Sequence, residues 1–249
     1  MDCLRRVKVI DVPITATNMN EFVNYLARNL DSVKGSYICV SNAHTTVLAH
    51  EDPYYYTVQT CSLASIPDGK PLSFIGRKEE SNMDRVTGPD LMREIFSSEK
   101  FINSTHYFYG NDEEGLEALI RSLRIEYPHL NIVGYEPSLF RKLNEDEKDA
   151  LYNRINHASP DFLWVGLGAP RQEIFCYESR DKIKSLMIGV GGAFNILSGV
   201  TDEAPLWVQN LGMEWFFRFL KEPRRLFKRY FITNNKFIFY CLTKKERVK

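Results

Sequence analysis

Three apolar runs in this 249-residue sequence end on glycine, and each could bring backbone groups close to an anionic ligand. The first, Phe162–Phe175, reads FLWVGLGAPRQEIF. It predicts a buried strand over Phe162–Val165, a turn carrying Gly166 and Gly168, and a helix opened by Pro170, whose missing N–H is no loss in a first turn. The second, His106–Gly110 (HYFYG), is an aromatic strand ending on Gly110. The third, Leu186–Gly192 (LMIGVGG), ends in Gly191 and Gly192. Glycine lets a backbone N–H approach a phosphate closely, and a following helix N-terminus adds partial positive charge. The same pattern also suits three tight turns with no ligand.

Polar side chains cluster near other strand ends. Asp68 follows an apolar run in Pro67-Asp68-Gly69, an ordinary turn signal that nevertheless places a carboxylate where it could face a cleft. Asn42 and His44 follow the apolar run Ser36–Val40, and Arg85 precedes the helix start Val86-Thr87-Gly88-Pro89-Asp90. Arg171, Gln172 and Glu173 occupy the first turn after Pro170, where cap roles compete with ligand contacts.

The elements that must position these residues alternate. Val7–Val12 predicts a first strand and Thr17–Leu30 an amphipathic helix, with Phe22, Val23, Leu26 and Leu30 on one face. Strands at Ser36–Val40, Ser62–Ile66, His106–Gly110, Asn131–Tyr135, Phe162–Val165 and Leu186–Gly189 are separated by helical segments. These include 45–50, 54–60, a helix from Val86–Asp90 onward, one after Gly110, and Glu145–Asn156. Such alternation predicts an α/β fold with a Rossmann-like, mainly parallel sheet flanked by helices. Ligands of open α/β sheets bind outside the carboxyl ends of the strands, where all three glycine turns would gather.

Composition narrows the class. The chain is 44% hydrophobic and 26% charged with zero formal net charge, as expected of a soluble globular protein. Five scattered cysteines without a CxxC pair argue against a disulfide framework or zinc site and for a reducing cytosol. Arg5, Arg6, Lys8 and Asp11 interrupt the N-terminus, so no signal peptide is expected, and no apolar run is long enough to span a bilayer.

The zero net charge conceals an asymmetry. Gly212–Lys249 holds 11 Lys/Arg against 3 Asp/Glu. In Leu211–Tyr240, LGMEWFFRFLKEPRRLFKRYFITNNKFIFY, aromatic residues interleave with Arg218, Lys221, Arg224, Arg225, Lys228 and Arg229, and Pro223 breaks the helix. The segment suits either a helical pair closing the core or a surface for a membrane or anionic ligand. We therefore divide the chain into a catalytic or binding body, 1–200, and a helical, basic and aromatic C-terminal appendage, 201–249. An acidic body and bulky apolar tail disfavour nucleic acid, and the aromatic surplus allows for a homo-oligomer.

Taken in order, these blocks resemble the WecG/TagA/CpsF glycosyltransferases over nearly the whole chain. The matching residues are Asn42 and His44, Pro67–Leu72, Arg85–Leu91, Phe108–Gly110, Val165–Glu173, Gly189–Phe194, and Gly212–Trp215 through Arg218 to Glu222–Arg225. The resemblance implies an inverting, metal-independent hexosyltransferase. Its donor would be a UDP-sugar and its acceptor a sugar on polyprenyl diphosphate, at the inner face of the cell membrane. Such enzymes serve cell-surface polysaccharide or teichoic acid synthesis.

Asp68 matches the family's proposed base. Asn42, His44, Arg85, Gly110, Gly168, Arg171, Gln172, Glu173, Gly191 and Gly192 become expected substrate contacts, and Arg218, Arg224 and Arg225 expected partners of the lipid diphosphate. No cofactor or metal is expected, and the sequence contains no Asp-x-Asp. Many relatives carry Lys at Arg171 and Asp at Asn195, and relatives acting on N-acetylmannosamine often carry Thr at Val40. These departures keep UDP-glucose beside UDP-N-acetylmannosamine as donor. A non-catalytic, membrane-associated nucleotide-sugar module and a nucleotide-dependent oxidoreductase are the rival readings; the latter lacks a GxGxxG after the first strand.

Overall fold

The computed structural model describes residues 4–139, 141–210, 212–221 and 223–243, without the side chains of 206, 210, 218 and 224–230. The chain opens with a hairpin, β1 (Arg6–Val9) and β2 (Val12–Thr15), paired antiparallel from Arg6↔Thr15 to Val9↔Val12. The single strand expected over Val7–Val12 is thus two. The reversal falls on Ile10, at φ 64, and Asp11. A two-residue hairpin loop demands positive φ, and without Gly or Asn at Ile10 its sequence gives no turn signal.

A six-stranded sheet follows. It comprises β3 (Tyr37–Ser41), β4 (Ala64–Pro67), β5 (Thr105–Gly110), β6 (Asn131–Glu136), β7 (Phe162–Gly166) and β8 (Leu186–Gly189). Their spatial order is β4-β3-β8-β7-β5-β6, and every pairing is parallel. The expected mainly parallel α/β sheet is present, with strand ends within a residue or two of their predicted limits.

Near-continuous apolar strands arise because both sheet faces are covered. Successive side chains alternate: Phe162 and Trp164 join one core with Ile38, Ile66, Phe108 and Ile188, while Leu163 and Val165 join another with Tyr37, Cys39, Tyr109 and Met187. The first core is covered by α1 (Met19–Val33), α5 (Gly88–Ser97), α6 (Glu113–Glu126) and α9 (Ala193–Leu197); the second by α7 (Glu145–Ala158) and α8 (Arg171–Ser179). A third cluster joins the hairpin to α2 (Ala43–Glu51), α3 (Pro53–Thr60) and α4 (Lys70–Gly76). The helix α4, absent from the sequence-based reading, begins at Lys70-Pro71 directly after Gly69.

The C-terminal segment forms α10 (Leu206–Asn210), α11 (Glu214–Lys221) and α12 (Pro223–Thr243). Pro223 opens α12, as its lack of an N–H favours. This segment returns to the body. Phe237 is buried in the hairpin cluster, Lys236 Nζ meets Glu51 at 2.8 Å, and the Tyr240 hydroxyl donates to Glu51 at 2.7 Å. Among the described residues, no helix is long and apolar enough to cross a membrane.

Candidate active site

Parallel pairing puts the carboxyl ends of all six strands on one edge. There β5 leads outward to β6 while β7 leads back to β8, so the chain diverges between neighbouring strands β5 and β7. A crevice forms at such a divergence. Its floor is Gly110, paired with Gly166 in the ladder. Gly110 has φ +129, and a Cβ there would lie 2.6 Å from the Gly166 backbone, so no side chain fits. Gly168, at φ +75, has nothing within 4 Å of where a Cβ would point. The Ala169–Pro170 peptide is cis.

The glycine turns gather at one edge as expected, but not every N–H is free. Gly168 N–H donates to Gln172 Oε1 at 3.1 Å, and Gly191 N–H to the Val165 carbonyl at 3.3 Å. Gly168 and Gly191 therefore supply close approach rather than vacant donors. Gly192 stands just before α9. Asn111, the residue after Gly110, donates through Nδ2 to Asn195 Oδ1 at 2.7 Å, a pairing that sequence spacing did not reveal.

Gln172 and Glu173 diverge from the expected pair of ligand contacts. Gln172 is buried against Gly189 and Gly191, and Glu173 faces inward at 1% exposure. Burial pushes the Glu173 carboxyl up to about 7, against hydrogen bonds from Gln172 and Tyr55 that favour ionisation. This places the carboxylate beneath the site, not in it. Arg171 is exposed and donates to the Leu167 carbonyl at 2.9 Å.

A second recess lies at the β4 end. Asp68 follows β4, its N–H bonded to the Ser41 carbonyl at 2.7 Å, and it lines this recess with Thr87, Ile196, Glu203, Gln209 and Glu214. Asn42 caps α2, its Oδ1 accepting from His44 N–H at 3.0 Å and Thr45 N–H at 3.3 Å. Its Cβ lies 4.0 Å from where a Cβ on Gly69 would stand, so the Asn42 and Asp68 turns adjoin. His44 Nδ1 lies 3.3 Å from Thr233 Oγ1 of α12.

Arg85 connects the recess to the C-terminal segment. Its guanidinium donates to Gln209 Oε1 at 3.0 Å, pairs with Glu214 at the start of α11, and stands 3.6 Å from Asp90. Gln209 is fixed in turn by the Ala204 carbonyl at 2.7 Å. Nearby, Arg93 holds Glu203 at 2.8 Å. The sequence reading gave Gln209, Glu203 and Glu214 no role; their partners lie more than 100 residues away, beyond any local pattern. The expected lipid-diphosphate residues Arg218, Arg224 and Arg225 have side chains outside the described residues. Among the described residues, no three His, Cys, Asp or Glu side chains converge to hold a metal ion.

A strand-end carboxylate, a neighbouring guanidinium and a glycine crevice on one sheet edge suit a group-transfer site. Comparison with known proteins agrees. The chain is 28% identical over 218 residues to an N-acetylglucosaminyldiphosphoundecaprenol N-acetyl-beta-D-mannosaminyltransferase of Bacillus subtilis, covering 86% of this chain and 83% of that protein. It is 26% identical over 215 residues to the protein of the same name from Bacillus spizizenii, covering 84% and 80%. The profile of the glycosyl transferase WecG/TagA/CpsF family matches residues 7–249, so the chain belongs to that family and is a glycosyltransferase.

Proposed function

We propose that this enzyme moves a hexose, N-acetylmannosamine or a close relative, from a UDP-sugar to a sugar carried on polyprenyl diphosphate, with inversion and without a metal. The observation that carries this reading is the position of Asp68: at the sheet's carboxyl edge, in a recess walled by the C-terminal segment, with Arg85 anchored to the same wall. The names of the two relatives supply the lipid-linked acceptor and the sugar transferred.

The UDP group would lie along the crevice of Gly110, Gly168 and Gly191, where missing side chains permit backbone contact. Asp68 would accept the proton of the acceptor hydroxyl as that oxygen attacks the anomeric carbon. The bond from the anomeric carbon to UDP breaks, and the diphosphate leaves with the electron pair. Arg85, together with Arg218, Arg224 and Arg225, would meet the charge of the two diphosphates, since guanidinium binds phosphate oxygens in bidentate fashion.

Exposed Trp215, Phe216, Leu220, Phe231, Ile238 and Leu242 support a peripheral membrane role for α11 and α12 beside their basic residues. The test is UDP release from a panel of UDP-sugars, UDP-glucose included, with a short polyprenyl-diphosphate sugar acceptor. Release should require the acceptor, be lost in Asp68→Asn and persist in EDTA. Unchanged release by Asp68→Asn would remove Asp68 from the mechanism.

A further inference from the structure

The most unusual buried group outside the proposed chemistry is the Glu173 carboxylate. Gln172 and Glu173 are adjacent in the first turn of α8, and both are almost completely buried. A glutamine amide can be turned two ways, and only one suits this place. Gly168 N–H points at Gln172 Oε1, so Gln172 Nε2 must find an acceptor elsewhere, and Glu173 Oε1 provides it at 2.8 Å. Turned over, the amide would set its N–H donors against the Gly168 N–H and its oxygen against the carboxylate.

Gln172 also touches the neighbouring strand end. Its side chain lies 3.0 Å from where a Cβ on Gly189 or Gly191 would stand. One amide thus spans the turn after β7 and the turn after β8. Meanwhile Glu173 Oε2 makes no hydrogen bond of ordinary geometry among the described residues, although the Tyr55 hydroxyl stands close enough to the carboxyl to favour its ionised form. A buried polar atom left unpaired costs stability, so packing alone gives no reason for a carboxylate here.

We propose that Glu173 is a positioning residue for the nucleotide site: its carboxylate fixes the orientation of the Gln172 amide, which bolts the Gly168 turn to the Gly189–Gly191 strand end. The inference rests on the reading that UDP occupies this crevice. It assigns Glu173 a role at one remove from the ligand, transmitted through Gln172.

The test is calorimetric titration of UDP onto wild type, Glu173→Met and Glu173→Gln, with the amide resonance of Gly168 followed by NMR. Glu173→Met leaves the amide without its acceptor. It should weaken UDP binding about tenfold, the equivalent of one good hydrogen bond, and shift the Gly168 resonance. Glu173→Gln keeps an acceptor oxygen and should restore most of the affinity and the wild-type resonance. If Glu173→Met does not fold, Glu173→Asp, whose carboxyl is drawn back by one methylene, should show the same two changes. Wild-type affinity and an unmoved Gly168 resonance in a folded Glu173→Met or Glu173→Asp protein would overturn the proposal. Wild-type protein that binds no UDP would instead overturn the nucleotide reading, and the resonance would then decide alone whether Glu173 sets the turn.

Discussion

Arg85, just beyond the Asp68 strand, and Glu214, the first residue of α11, form an ion pair that ties the C-terminal segment to the carboxyl edge of the sheet. Both side chains are largely shielded, at 15% and 28% exposure, so the pair is less screened than a surface bridge. Removing either partner should loosen the wall of the Asp68 recess. We expect Glu214→Ala to cost about 1–2 kcal/mol and to accelerate proteolysis within residues 212–221. In an Arg85→Ala background the same change should cost much less. Additive effects in that double-mutant cycle would show that the contact carries no energy.

Asp68→Asn removes the proposed proton acceptor while keeping the shape of its turn. The expected outcome is a fall in kcat of about 10²–10⁴ with UDP affinity retained. Steady-state kinetics beside UDP calorimetry separates the two. Loss of affinity with intact kcat would make Asp68 a binding residue instead.

The buried Glu173 carboxyl makes stability depend on pH in a direction opposite to that of an ion-paired carboxylate. Its surroundings are Gln172 on its own helix, Tyr55 on α3, Cys39 on β3 and Cys176 on α8, and burial raises both thiols well above their ordinary range. With a native value near 7 against an ordinary 4.5, the folded protein holds a proton that the unfolded chain releases. Stability should therefore decline as pH rises from about 4.5 to about 7 and then level off, by roughly 3 kcal/mol from this group. Denaturant titrations at pH 5 and pH 8 should show wild type losing more than Glu173→Gln. A larger loss in the variant would contradict the assignment.

Two glycines of the crevice should respond differently to alanine. At Gly168 the new methyl enters open space, so only the positive φ is costly, by about 1 kcal/mol. At Gly110 the methyl meets the Gly166 backbone as well, and we expect a loss of at least 2–4 kcal/mol. Equilibrium unfolding of the two variants gives the comparison directly; equal losses would mean that the strand ends can part.

Much of the architecture was legible because it is written in short-range patterns. Apolar runs such as Phe162–Val165, bounded by turn residues, announce strands covered on both faces, and Val86–Asp90 announces the start of α5, which the Thr87 side chain caps. The glycine endings of β5, β7 and β8 were expected on one sheet edge, and parallel pairing of neighbouring strands puts them there. The hairpin reversal at Ile10 was illegible because its strained residue is not one that favours positive φ. The helix α4 was hidden behind a Pro-Asp-Gly turn in a segment too short to display a helical period.

By itself, the sequence determined the fold class, the family and the candidate carboxylate, because each rests on residue type and spacing along the chain. Tertiary structure alone decided which polar groups are available and which are already bound. It turned Glu173 into the core, committed Gly168 N–H to Gln172, and joined Arg85 to Gln209 and Glu214 across more than a hundred residues. The physical reason is that a hydrogen bond or ion pair depends on distance in space and on the exclusion of water, and neither quantity is encoded by proximity in the chain.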